Sequence, residues 1–410
     1  MAGCAGLVGI GDVPGGDGGV TQGKDGGIVP PVDGGILHRD GSISGFDHTS
    51  PGIDAPVPPP VDGGSPLTYQ PSNIGAMQLS GQNTGPLTLT GDNCTVYTDY
   101  PGAPGIGCES GQNPPDDVFG VTLPNGGGQA VLYVFTYISI DSESSLSVQG
   151  PFPLIMVALG SVDIRGTIDV SADKYDPDAN AIPGEHLTGM LPGFNNGGPQ
   201  GGGGGSFCGL GGTGALGPGG TASMSAPGAT YGNAALIPLL GGEPGGGAGS
   251  QSLDGLANGY GGGALQISAA MNINVEANAY INANGSGGVS QGDESGEGAG
   301  SGGAILLEAP TITIAGILEA NGGEGSDNNM DGATPPTDAG VATEPSCVGG
   351  NGGAGTSVNG ANGGPTGDGY GGGGGGVGWI RLNGNTITIT GTVSPSLATS
   401  CASKGGLTAP

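Results

Sequence analysis

Glycine sets the first limit on this chain: 99 of its 410 residues are glycine and a further 33 are proline. Much of the sequence therefore has no side chain to bury, and length overstates the core it can build. Glycine also loses the most backbone freedom on folding, so such segments order only where a regular scaffold or tight backbone packing compensates. A helical protein is excluded on the same ground. Nowhere do apolar residues recur at i, i+3, i+4 and i+7 through a window free of glycine and proline, and the most apolar candidate, 234–240, is broken by Pro238.

What remains is strand. Four segments alternate apolar and polar residues and then turn into a second short strand: Val162-Asp163-Ile164-Arg165-Gly166-Thr167-Ile168, Ile273-Asn274-Val275-Glu276-Ala277, Ile312-Thr313-Ile314-Ala315-Gly316-Ile317-Leu318 and Ile387-Thr388-Ile389-Thr390-Gly391-Thr392-Val393. A looser copy begins at 137–140. The period of two gives each strand one buried face. Another apolar strand precedes each of the four, at 154–159, 264–267, 304–307 and 377–382, and two units close on Ala283-Asn284-Gly285 and Ala320-Asn321-Gly322. One such unit cannot bury its own apolar face, whereas stacked units share a continuous core. Ile314 is expected to point inward, in register with Ile164, Val275 and Ile389, with Thr311 and Thr313 facing the other way.

These units resemble the rungs of filamentous-haemagglutinin-like and other bacterial parallel β-helix surface proteins, over about 130 to 395. The resemblance implies a surface scaffold, often adhesive, with no catalytic residues to carry over. The expected fold is all-β: a short parallel β-helix (β-solenoid) with long glycine-rich loop insertions after a disordered N-terminal tether. The alternative is a β-sandwich with polyglycine-strand packing. Long glycine-rich stretches at 173–262, 285–303 and 322–376 depart from the family pattern. They are either disordered or packed as extended polyglycine strands, which would resemble those of some bacterial and phage surface proteins and of certain receptor ectodomains; 201–205 and 371–376 are the best candidates.

The expected division is a tether at 1–65, rich in Gly, Pro and Asp; an N-terminal β region at 66–129; a body at 130–400; and a tail at 401–410. Met1-Ala2-Gly3-Cys4-Ala5 resembles the lipobox of bacterial lipoproteins, which implies acylation of Cys4. A lipobox needs a charged and then an apolar segment before it, so the expectation is a signal peptide upstream of Met1 and a lipid anchor at the outer-membrane surface. The tether would hold the folded part away from the membrane.

Six cysteines, none in a zinc-type spacing, point to disulfides in an oxidising compartment. Cys94 and Cys108 close a short loop, and a bridge there is worth about 3 kcal/mol on the loop-entropy model. Cys208 and Cys347, both inside glycine-rich stretches, form the second expected pair.

The formal charge of −29 excludes nucleic acid as a partner and disfavours anionic lipid surfaces. It does suit hard cations, and Asp173, Asp176 and Asp178 place three carboxylates on one loop, an arrangement calcium accepts. No other cofactor is suggested. Gly288-Val289-Ser290-Gln291-Gly292 and Gly209-Leu210-Gly211-Gly212-Thr213-Gly214 match G-x-S-x-G and G-x-G-x-x-G. Neither opens a helix, and composition alone generates both. A threonine ladder, Thr386, Thr388 and Thr390 beside Thr311 and Thr313, reads first as an exposed strand face filled with a good strand former. The functional expectation is a non-catalytic structural or adhesive surface protein whose partners are surface polysaccharide or other cell-surface components. The alternative is a carbohydrate-active β-helix enzyme of the polysaccharide lyase or hydrolase type, marked by two or three carboxylates converging beside Arg165 or Arg381.

Overall fold

The computed structural model describes residues 67–75, 85–98, 105–111, 118–172, 200–217, 225–248, 259–289, 295–327, 349–366 and 369–409, all within one compact unit. The expected tether lies outside them. Among the described residues the protein is all-β, with a single 3-10 turn at Pro124–Gly126.

Four strands lead in: β1 (Leu87–Leu89), β2 (Asn93–Tyr97), β3 (Gly105–Cys108) and β4 (Val118–Thr122). Triplets follow: β5 (Gln129–Phe135), β6 (Ile138–Ile140), β7 (Ser145–Gln149); β8 (Leu154–Ala158), β9 (Val162–Ile164), β10 (Thr167–Asp169); β11 (Ala264–Ala269), β12 (Asn272–Val275), β13 (Tyr280–Asn282); β14 (Ala304–Glu308), β15 (Thr311–Ile314), β16 (Ile317–Glu319). After a small antiparallel pair, β17 (Pro365–Thr366) and β18 (Gly369–Tyr370), a last triplet is β19 (Trp379–Asn383), β20 (Thr386–Ile389), β21 (Thr392–Ser394), and β22 (Ala402–Gly405) ends the series.

Each triplet gives one strand to each of three sheets. Sheet A runs β1-β6-β9-β12-β15-β20, sheet B β21-β16-β13-β10-β7-β2-β3 and sheet C β22-β19-β14-β11-β8-β5-β4. Within them only the β2–β3 and β4–β5 pairs are antiparallel. The register is the one the alternation predicts: Ile140, Ile164, Val275, Ile314 and Ile389 are successive partners across sheet A. Ile314 is fully buried, whereas Thr311 is exposed. One core cluster gathers the inward residues of all three sheets. A second lies on the other face of sheet C, where Ile74, Phe207, Leu236 and Leu239 cover Leu132, Ile155, Val157 and Leu306. Sheet C is thus buried on both faces in its middle strands, which is why β8 and residues 304–307 of β14 read as unbroken apolar runs while β9, β12 and β15 alternate.

The strands run across two of the expected boundaries. β1 pairs with β6 and β2 with β7, so these strands of the N-terminal β region join the same sheets as the body. β22 pairs with β19, so the sheet continues into 401–410, which is no tail.

The described glycine-rich stretches are ordered strands rather than projecting loops. Extended left-handed backbone turns once every three residues and makes no internal hydrogen bonds, so its amides point sideways in three directions. Residues 371–376 show this period. Gly371 and Gly374 donate to Gly364 and Ala361, Gly372 and Gly375 to Ser326 and Gly323, and Gly373 and Gly376 to Gly202 and Gly205. Their carbonyls accept from three more segments: from Ala215 and Gly212, from Gly350 and Gly353, and from Ala299 and Gly302. One strand therefore has six hydrogen-bonded neighbours where a β-strand has two.

The close approach explains the composition. A Cβ on Gly372, Gly373, Gly374, Gly375 or Gly376 would lie 1.8 to 2.2 Å from a neighbouring carbonyl oxygen. None of these glycines has a positive φ, so space, not conformation, requires them. The array grows directly out of the sheets. Residues 259–263, 296–303 and 371–378 lead into β11, β14 and β19, and Ala283 and Ala320 open the strands that leave β13 and β16. The ladder of sheet C carries on without a break, from Trp379 N–H to Gly303 O and from Ala304 N–H to Gly263 O.

Candidate binding surfaces

The described residues leave the outer face of sheet A open along its length. Sheet C is covered as above, and sheet B is half covered: its outward Asn282, Glu319 and Ser394 are buried, whereas the row Asn93, Ser145, Thr167, Tyr280, Ile317 and Thr392 is half-buried or exposed. Alternation fixes what sheet A shows. With Val162 and Ile164 inward, Asp163 faces out, and the same parity in each strand produces a row across all six: Thr88, Ser139, Asp163, Asn274, Thr313 and Thr388. A second row holds Asn272, Thr311 and Thr386. Small hydroxyl, amide and carboxylate groups thus stand on a grid of about 4.8 Å between strands and about 6.7 Å along them. Arg165 pairs with Asp163 at 2.8 Å, and the Ser161 hydroxyl donates to Asn272 Oδ1 at 2.7 Å.

The other arginine is held differently. Arg381 donates from Nε to Asn383 Oδ1 at 2.7 Å and from Nη1 to Ser403 Oγ at 3.0 Å. Neither arginine stands among converging carboxylates within the described residues. The nearby Glu308, 1% exposed, accepts from Ser72 N–H (3.1 Å) and Oγ (2.5 Å), Gln266 Nε2 (3.0 Å), Ser268 Oγ (3.1 Å) and Asn383 Nδ2 (3.0 Å). Five neutral donors saturate its oxygens, so it fastens the 69–74 segment onto sheet C and has no lone pair left for a substrate. The Tyr69 hydroxyl, donating to the carbonyls of Glu308 (2.7 Å) and Ala269 (3.1 Å), belongs to the same fastening. Burial first, and the Glu308 charge second, push this phenol far above its ordinary range.

Cys94 and Cys108 are bonded across β2–β3 at 2.06 Å. Asp92 lies close to both sulfurs, but thiols spent in a disulfide offer no thiolate to a metal. The second expected pair is corrected: Cys208 bonds to Cys401, not Cys347, and so ties the glycine array to the turn before β22. Cys347 lies outside the described residues, as do Cys4, Asp173, Asp176, Asp178 and Ser290. The G-x-G-x-x-G segment at 209–214 is a strand of the array: Gly209 and Gly212 donate to Val377 and Gly374, and neither begins a helix. Trp379 Nε1 donates to the Tyr231 carbonyl at 3.3 Å, a packing role.

No protein-family model, curated protein or solved structure matches the chain.

Proposed function

We propose that this is a non-catalytic structural or adhesive protein of the bacterial cell surface, held to the outer membrane through an acylated Cys4 and built as a short parallel β-solenoid. Its partner in this reading is an extended surface polysaccharide lying along sheet A. The observation that supports it most is the open six-strand face, where short polar side chains repeat at the pleat spacing with few flexible groups to immobilise on binding. The order of the triplets, each giving strands to sheets C, A and B in turn, supports the solenoid reading. The glycine array stiffens one side of the stack by joining backbones directly.

The test uses the full chain with cellulose, chitin and purified capsular polysaccharide, scored for co-sedimentation and for released reducing or unsaturated ends. Binding to at least one polymer without product, weakened in Asn274→Lys and Thr313→Lys, is the expected result. Product release that tracks the protein through purification would overturn the reading in favour of the lyase or hydrolase alternative.

A further inference from the structure

Sheet B ends in the hairpin β2–β3, and there a second feature appears. Outward positions of β2 carry Asn93, Thr95 and Tyr97, because Cys94 and Val96 are buried inward. The partners of Thr95 and Tyr97 on β3 are Gly107 and Gly105. Two side chains are missing from an otherwise filled sheet face, and the gap is a depression of about 610 Å³ lined by Asn93, Thr95, Tyr97, Gly107, Glu109 and Ser147. The Cys94–Cys108 bond fixes its floor.

The walls are organised. Tyr97 is 40% exposed, an unusual state for a large aromatic among these sheets. Its ring edge lies beside Gly107, where an added Cβ would sit 3.6 Å from Cε2, and its carbonyl accepts from Tyr133 OH at 3.3 Å. Opposite, Ser145 Oγ donates to Asn93 Oδ1 at 2.7 Å, which directs the Asn93 amide nitrogen to Glu109 Oε2 at 3.2 Å. The second oxygen of Glu109, with the hydroxyls of Thr95 and Ser147, remains to meet hydroxyl groups.

We propose that this depression binds a single neutral sugar ring. A pyranose has an apolar C–H face that suits an aromatic platform and a rim of hydroxyls that suits carboxylate, amide and hydroxyl partners. The Glu109 carboxylate and the chain's charge of −29 select against uronic acids. The inference rests on the reading of the protein as a saccharide-binding surface protein, but it uses a different sheet and a different ligand size.

The experiment titrates full-length, disulfide-intact protein with the methyl glycosides of glucose, galactose, mannose and N-acetylglucosamine, and with glucuronate, by calorimetry and saturation-transfer NMR. At least one neutral glycoside is expected to bind in the millimolar range. Tyr97→Ala and Glu109→Gln should each weaken it by about tenfold. Gly107→Leu, whose Cβ the site tolerates, should fill the depression and abolish binding, whereas Tyr97→Trp keeps the platform and should retain it. Thr313→Lys on sheet A should leave the affinity unchanged. No neutral binding up to about 100 mM, tighter binding of glucuronate, or unaltered binding in Gly107→Leu would overturn the proposal. Failure of polysaccharide binding on sheet A with intact glycoside binding here would remove the sheet A reading alone.

Discussion

The sheets and the glycine array are two cores made from one chain by opposite means. In the sheets, side chains supply the contact: Ile164, Val275, Ile314 and Ile389 stack at a period of two, and backbone groups bond to two neighbours. In the array the side chain is what must be absent, the period is three, and residues 371–376 bond to six neighbours. The first core gains chiefly from removing apolar surface from water. The second gains from pairing backbone amides and carbonyls in a close-packed bundle, all of them in residues 371–376, against the large entropy cost of ordering glycine. The difference predicts opposite tolerance: the sheets should absorb changes on their outer faces, and the array almost none.

The largest effect should come from adding one methyl group to the array. In Gly375→Ala the Cβ would meet the Gly300 carbonyl oxygen at 1.9 Å, and backbone on all sides leaves nothing flexible to yield. A loss on the order of 4 kcal/mol or more is expected in chemical denaturation. Gly406→Ala, with nothing within 4 Å, should cost almost nothing. Similar losses in the two variants would break the comparison.

In the sheets, the contrast lies between the faces of one strand. Ile314→Asp buries an unpaired carboxylate and leaves a packing defect, together about 3–4 kcal/mol, whereas Thr313→Asp on the open face should change stability by well under about 1 kcal/mol. Equal losses, or a larger one at Thr313, would show the faces to be reversed.

A smaller effect belongs to the segment fastened onto sheet C. Glu308→Ala strands donors from Ser72, Gln266, Ser268 and Asn383, for an expected loss of about 2–3 kcal/mol by the same measurement. Tyr69 adds the smallest effect, and a pH dependence. Its folded phenol titrates above its free value of 10.0, so the unfolded chain gives up the proton first. Stability from this group is full below that value and drains as pH rises through it. Urea midpoints of the native protein should fall above about pH 10, and in Tyr69→Phe that component should vanish.

The sheets were legible in the sequence because alternation is written in side chains, and it placed Ile314 with its partners correctly. The glycine runs at 201–205 and 371–376 stood out as the best candidates for packed strands, with disorder the open alternative, because glycine carries nothing that encodes which six segments meet. Cys208 was assigned to the wrong partner for a related reason. Ala402-Ser403-Lys404-Gly405 has no apolar alternation, so β22, whose pairing with β19 accompanies the Cys401 bond, is made visible only by tertiary context. The depression at Tyr97 was also missed. Its signal is Gly105-Ile106-Gly107, two glycines on one face of a short strand, which reads as weakness in the strand until the tyrosine beside it is placed.

Hydrogen exchange tests the array most directly. Residues 201–205 and 371–376 have no side chains to protect them and lie outside the regular ladders, so their amides exchange slowly only if the neighbouring carbonyls are in place. Peptides covering these segments should exchange as slowly as those covering β14 (Ala304–Glu308). Exchange at the rate of free chain there, with β14 still protected, would contradict this.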